Sequence, residues 1–268
     1  MKKAEVQFNL IFVIVAGVMI LAFFLFFTTK YIDLKEKQEA AKISGQIDNL
    51  LLGLKFNTQY KELDVPNFNL NVNCGNITIN NRFTKDLDYV FFATNGTSKK
   101  LTFWVKEVEK GFRIDNVVFI IDNTKKYYSD REFFPDFVNV NEDYDVGVFF
   151  NSCPNNNKKV ICVDGNNINY NGESFYSFDD ALIYGAAFGN FDNFKCSYEK
   201  LVDKLIILYD IYLKKNEGFN DGQEIRSQIS TLLSENKNKI VNGNYDVDNS
   251  QLDLLNTKLS NYELEVLY

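Results

Sequence analysis

The sequence predicts an α+β fold: an N-terminal transmembrane helix extended into an amphipathic helix, an antiparallel β-rich middle and a helical C-terminal third. Three observations predict it. The run from Leu10 to Phe27 carries no charge and no proline. From Asn67 to Cys74, asparagine alternates with Phe68, Leu70, Val72 and Cys74, the period of two expected of a half-buried strand. After Phe178, apolar residues return at spacings of three and four.

The apolar run is read as a membrane span. At 1.5 Å of rise per residue, residues 8–29 cover the ~30 Å hydrocarbon core, where only a helix or a closed barrel satisfies its own backbone. A secretory leader has an apolar region of about 7–15 residues and a small-residue cleavage site. Here the run ends in Phe26-Phe27-Thr28-Thr29-Lys30. The basic tail Met1-Lys-Lys-Ala4 places the N-terminus in the cytoplasm by the positive-inside rule.

Beyond the span the helix is expected to continue to about Phe56. Ala40, Ile43, Ile47, Leu50 and Leu54 form a stripe between polar residues. That stripe either packs on the chain's own domain or mediates self-association with a second chain. The expected organisation is residues 1–29 for the tail and span, 30–63 for the amphipathic stalk, 64–178 for a β-rich domain and 179–268 for a helical region packed on it.

Composition limits the chemistry. The chain has 268 residues and a formal net charge of -7, with arginine only at positions 82, 113, 131 and 226, so nucleic acid is not an expected partner. Hydrophobic residues make up 46%, enough to build a core. Histidine is absent, which excludes Ser-His-Asp and Cys-His catalysis, histidine-held zinc and a histidine pH switch.

Asp64-Val65-Pro66 breaks the first helix, because a residue before proline avoids helical geometry. Further strands are expected at residues 87–93, 101–108, 113–121, 144–150, 160–163 and 168–170, with turns at Asn95-Gly96, Lys110-Gly111, Asp164-Gly165 and Asn171-Gly172. Val146 to Phe150 and Val160 to Val163 read as the arms of a hairpin. That arrangement brings Cys153 near Cys162 and leaves Cys74 with Cys196, although four cysteines allow three connectivities. Disulfides imply an oxidising, extracytoplasmic compartment; four reduced thiols are the alternative.

Asp179 to Phe188 reads as a capped helix. A longer helix is expected after Ser197, another over residues 221–240, and a last one from Asn249 to the C-terminus with Leu252, Leu255, Leu259, Tyr262 and Val266 on one face.

Several motifs carry possible chemistry, each with a plainer explanation. Ser197-Tyr-Glu-Lys200 has the Ser-x-x-Lys spacing of penicillin-binding enzymes but lacks their companion motifs, and Ser197 reads instead as an ordinary helix N-cap. Asn244-x-Asp246-x-Asp248 begins like a calcium loop, but Asn249 and Leu255 stand where glycine and glutamate are required. Asp86/Asp88 and Asp143/Asp145 place carboxylates on one strand face, where a glycosidase would need a converging pair. Asn76 and Asn95 lie in glycosylation sequons. No catalytic, metal or cofactor-binding residue is assigned, and an enzyme is not expected.

The start Lys2-Lys3-Ala4-Glu5-Val6-Gln7-Phe8, followed by an apolar helix, its amphipathic continuation and a β-rich part, resembles type IV pilins and pseudopilins with their class III signals. The resemblance covers about the first 55 residues and implies cleavage after Ala4. The same start, with Ala181-Leu-Ile-Tyr-Gly-Ala-Ala-Phe188 before Cys196, is similar to uncharacterised membrane-anchored proteins of small-genome archaea. Together they lead to the expectation of a single-pass protein with a cytoplasmic N-terminus and an extracytoplasmic domain. It would act as a structural or interaction component, with the lipid bilayer, copies of itself or other surface subunits as partners. A surface receptor is the alternative, which a cleft lined by Tyr, Trp104 and acids would favour; an anchored hydrolase with convergent carboxylates is the third reading.

Overall fold

The computed structural model describes residues 2–54, 60–87, 89–150, 152–155, 158–247 and 249–268. It has the α+β architecture expected: a long N-terminal helix, antiparallel-rich sheets in the middle and helices in the C-terminal third. Helix α1 runs unbroken over Lys2–Leu54. Among the described residues it is the one helix long and apolar enough to cross a bilayer.

Its two halves live in different surroundings. From Phe12 to Phe27 the large apolar side chains are exposed, as are Tyr31, Ile32 and Leu34. Ala40, Ile43, Ile47 and Leu51 are buried against the protein's own sheet, and Leu50 is partly buried beside them. Burying each Ile or Leu contributes about 1.5–3 kcal/mol. The stripe proposed for self-association is therefore taken up within the chain: Ala40, Ile43 and Ile47 offer no free face to a second copy. The Leu54 side chain lies outside the described residues.

The first sheet has six strands in the order β3-β2-β1-β5-β6-β4. They are β1 (Lys61–Asn73), β2 (Asn76–Ile79), β3 (Phe83–Asp86), β4 (Val90–Ala93), β5 (Gly96–Glu109) and β6 (Arg113–Asp122). Strand β1 begins inside the expected stalk. Its pairing with β5 shifts register between Asp64 and Phe68, around Pro66, which has no N–H to give a ladder.

Both faces of this sheet are covered. Phe91, Ala93, Val118 and Ile120 pack under α1, while Val90, Phe92, Val117, Phe119 and Ile121 belong to the second, larger core. Double coverage explains why residues 117–121 read as an unbroken apolar run rather than an alternation.

The second sheet has the order β11-β10-β9-β8-β7, from β7 (Tyr127–Ser129), β8 (Val146–Phe149), β9 (Lys159–Asp164), β10 (Asn167–Tyr170) and β11 (Glu173–Tyr176). Here one expectation is corrected. Strands β8 and β9 are parallel, with Val146 opposite Lys159 and Phe149 opposite Cys162, so they are not hairpin arms. Period-two patterning is the same for both directions, and the asparagine-rich link serves as a crossover rather than a tight turn.

Helix α2 (Asp180–Phe188) is capped by Asp179, whose carboxylate accepts from the Ala181 N–H at 2.7 Å. It lies so close to the sheet at Gly185 that an added Cβ would come within 2.7 Å of the Phe92 ring. Helix α3 (Phe191–Glu217) starts earlier than expected, with Asn190 as its cap. Ser197 is thus inside the helix, not at its start. Helices α4 (Gln223–Val241) and α5 (Ser250–Asn261) complete the layer. Leu252, Leu255 and Leu259 are buried as the heptad spacing implies, but the helix stops at Asn261, leaving Tyr262 exposed and Val266 beyond its end. The last residues fold back, where the Leu267 N–H donates to the Asn256 side chain at 2.9 Å.

Candidate functional site

The cysteines meet in the pairs that the sequence points to. Cys74 and Cys196 lie at disulfide distance with their Cα atoms 5.7 Å apart, as do Cys153 and Cys162 at 5.8 Å. The first pair joins the end of β1 to α3 across 122 residues. The second closes the crossover between β8 and β9.

The proposed catalytic spacing Ser197-x-x-Lys200 does not form a dyad. The Ser197 hydroxyl is buried and donates to the Phe91 carbonyl at 2.7 Å. Lys200 reaches instead toward Gly75. Beside Ser197, Asn193 accepts from the Ala93 N–H at 2.8 Å and donates to the Phe91 carbonyl at 3.2 Å.

In the region resembling a calcium loop, the Asn244 side chain accepts from the Asp246 N–H at 3.0 Å, as in a local turn, and Asp248 lies outside the described residues. Asn249 makes no capping bond to α5. Its amide donates to the Lys110 carbonyl at 2.5 Å and accepts from Tyr209 at 3.1 Å and Asn236 at 2.9 Å. This hub fixes the β5–β6 turn to α3 and α4, and it requires Gly111, whose φ is +77° and whose Cβ would strike Asn249.

Asp143 pairs with Lys126 and Lys158, whereas Asp145 accepts from the Lys126 N–H, so neither faces a partner carboxylate. Asp88 is outside the described residues. Among the described residues no cluster of three or more Cys, Asp or Glu could hold a metal ion. Asn95, the second sequon asparagine, is exposed but accepts from the Val72 N–H at 2.6 Å; Asn76 is half-buried in β2.

Two concave regions adjoin at Asp179. One, of about 390 Å³, is lined by Arg131, Phe150, Asn166, Ser177 and Asp180. The Arg131 guanidinium lies 3.4 Å over the Phe150 ring. The other, of about 470 Å³, is lined by Trp104, Lys106, Glu107, Glu109 and Tyr184. Trp104 meets Tyr184 edge-on at 5.0 Å, and Tyr184 stacks on Phe133 at 4.3 Å. The Tyr184 hydroxyl donates to the Phe133 carbonyl at 2.8 Å, and burial pushes its pKa up to about 12, so it remains a donor at neutral pH. Asp179 is already engaged: one oxygen caps α2 and the other accepts from the Glu109 N–H at 3.0 Å. Glu107 pairs with Arg113 at 3.0 Å. The cleft thus offers aromatic surface bordered by charged residues, of which Glu107 pairs with Arg113 and Asp179 with Lys106.

Sequence reasoning missed Lys159. Its ammonium is enclosed although the residue is half-buried overall, and it donates to the carbonyls of Ala187 at 2.9 Å and Gly189 at 2.5 Å. These are orphan carbonyls at the end of α2. Burial, with repulsion from Lys125, holds its pKa well below the usual lysine value.

No protein family, curated protein or solved structure matches this chain.

Proposed function

We propose that this chain is a single-pass surface protein, with its N-terminus in the cytoplasm and its domain outside the cell, acting as a structural or interaction component of a surface assembly. The observation that carries this reading is the continuity of α1. One helix is bare and apolar from Phe12 through Phe27 and buries its Ala40, Ile43, Ile47 and Leu51 face against the sheet, so the anchor runs without a break into the domain. The two cysteine pairs at disulfide distance support the outward orientation. With the Ala40 to Leu51 face occupied, assembly with like subunits would run through the exposed span, as in the pilin-like proteins that the N-terminus resembles. Chemical cross-linking of the full chain in its native membrane tests this. A ladder of same-chain species is expected; a lone monomer would overturn assembly with itself.

A second reading, a surface receptor or ligand-binding module, is favoured by one observation: Trp104 and Tyr184 line a cleft together with Glu107, Glu109 and Asp179. A monomer in the cross-linking experiment would move this reading to the front.

A further inference from the structure

We propose that the turn between β2 and β3, Asn80-Asn81-Arg82, is a lipid-headgroup contact that seats the domain on the bilayer surface. This rests on reading α1 as a membrane anchor. Arg82 reaches from the turn to two carboxylates on α1: it pairs with Asp33 and, at 2.9 Å, with Glu36. Those residues give the turn a height. Asp33 is four residues beyond Thr29, where the span ends, so at 1.5 Å per residue it stands about 6 Å past the hydrocarbon, and Glu36 about 10 Å. The headgroup layer extends about 5–8 Å beyond the hydrocarbon on each side. The Arg82 guanidinium therefore lies at the outer boundary of the headgroups.

The turn is built to hold that position. Asn80 and Asn81 both adopt left-handed backbone, with φ of 51° and 53°. Asn80 is bonded twice to Asn69: its N–H donates to the Asn69 carbonyl and its side-chain oxygen accepts from the Asn69 N–H, each at 2.8 Å. Lys85, three residues on, pairs with Asp48 higher on α1. Three ion pairs, from two basic residues, thus clamp the hairpin along the helix with its turn toward the membrane.

The chemistry at this level suits lipid. Arg82 has five N–H donors, more than its two carboxylate partners use, and phosphate oxygens accept such donors. On α1, Lys30 and exposed Tyr31 flank the same height, and exposed Phe83 follows the turn, the residue types found where protein meets headgroups.

The test uses the full chain in phosphatidylcholine vesicles that contain either headgroup-nitroxide or acyl-chain-nitroxide lipid. Trp104 is the chain's one tryptophan. It adjoins Phe103, which pairs with Lys61, and the Lys61 ammonium meets Gly53, about 39 Å beyond Phe27 by helical rise. Three proteins are compared: the native chain, and Phe83→Trp and Phe24→Trp, each in a Trp104→Phe background. The expected result is several-fold stronger quenching of the F83W tryptophan than of Trp104 by headgroup nitroxide, with the F24W tryptophan quenched by acyl-chain nitroxide. An F83W tryptophan quenched no more than Trp104, while F24W is quenched, overturns the contact and leaves the anchor standing. Failure to quench F24W overturns both. Circular dichroism matching the native chain confirms that each variant is folded before it is read.

Discussion

Asn193 closes the free edge of the first sheet by standing in for a strand: its oxygen accepts from the Ala93 N–H at 2.8 Å. Its nitrogen donates to the Phe91 carbonyl, which Ser197 also reaches. Strand β4 is the last in its sheet, and without Asn193 the buried Ala93 N–H would lose its partner.

Replacing Asn193 with leucine should therefore destabilise the protein by about 2–4 kcal/mol, the cost of leaving a buried N–H unpaired together with the lost bonds. Ser197→Ala should cost less, about 1 kcal/mol, because Phe91 keeps its bond from Asn193. Urea unfolding followed by Trp104 emission measures both. Equal effects would show that the edge is not held by Asn193.

The buried stripe on α1 separates two outcomes. Ile47→Lys places an unpaired charge at a site that is 1% exposed and should cost at least about 3 kcal/mol. Leu52→Lys, at an exposed neighbouring position, should change stability by less than about 0.5 kcal/mol. Similar unfolding midpoints for the two variants would mean that α1 does not dock on the sheet.

The two cysteine pairs should contribute unequally. Chain-entropy arithmetic for a separation of 122 residues gives about 5 kcal/mol for Cys74–Cys196, against about 2.6 kcal/mol for a separation of 9 in Cys153–Cys162. Paired serine substitutions compared under non-reducing conditions check the order. A larger loss from the short loop would contradict it.

Lys159 sets a pH dependence whose sign follows from its depressed pKa. The unfolded chain keeps the proton up to about pH 10.4, whereas the folded chain releases it earlier. Between these values the unfolded state binds more protons, so stability rises with pH. Burial raises Tyr127 and Tyr170, whose contributions are complete below their unfolded value and decline only above it, leaving this window to the lysines, Lys159 first and Lys125 beside it. The gain in urea midpoint from about pH 7 to 10 should be clearly smaller in Lys159→Met than in the native chain, the remainder coming from Lys125, whose pKa burial also lowers. Parallel profiles would show that Lys159 titrates as an ordinary surface lysine.

Elements with long, unambiguous periodicity were legible in the sequence: the span, the strand alternation through Leu70 and Val72, and the Asp179-capped helix. Strands β2, β3, β7 and β11 were not: each is three or four residues long and lacks the Val- and Phe-rich run that marked β4 and β8 at the same length. The direction of β9 was hidden because alternation is blind to parallel pairing. The stripe from Ala40 to Leu54 showed that a surface would be covered, but not by what. The aromatic cleft was hidden for a similar reason, since Trp104 and Tyr184 are brought together only by the packing of α2 on β5. Asn193, Asn249 and Lys159 looked like ordinary polar residues; their importance lies in distant backbone groups that sequence does not place beside them.

The most direct test of the anchored, outward-facing domain is peptide mass spectrometry of membrane-purified protein without reduction. The account predicts two linked species, Cys74 with Cys196 and Cys153 with Cys162. Four free thiols in protein taken from the membrane would contradict it.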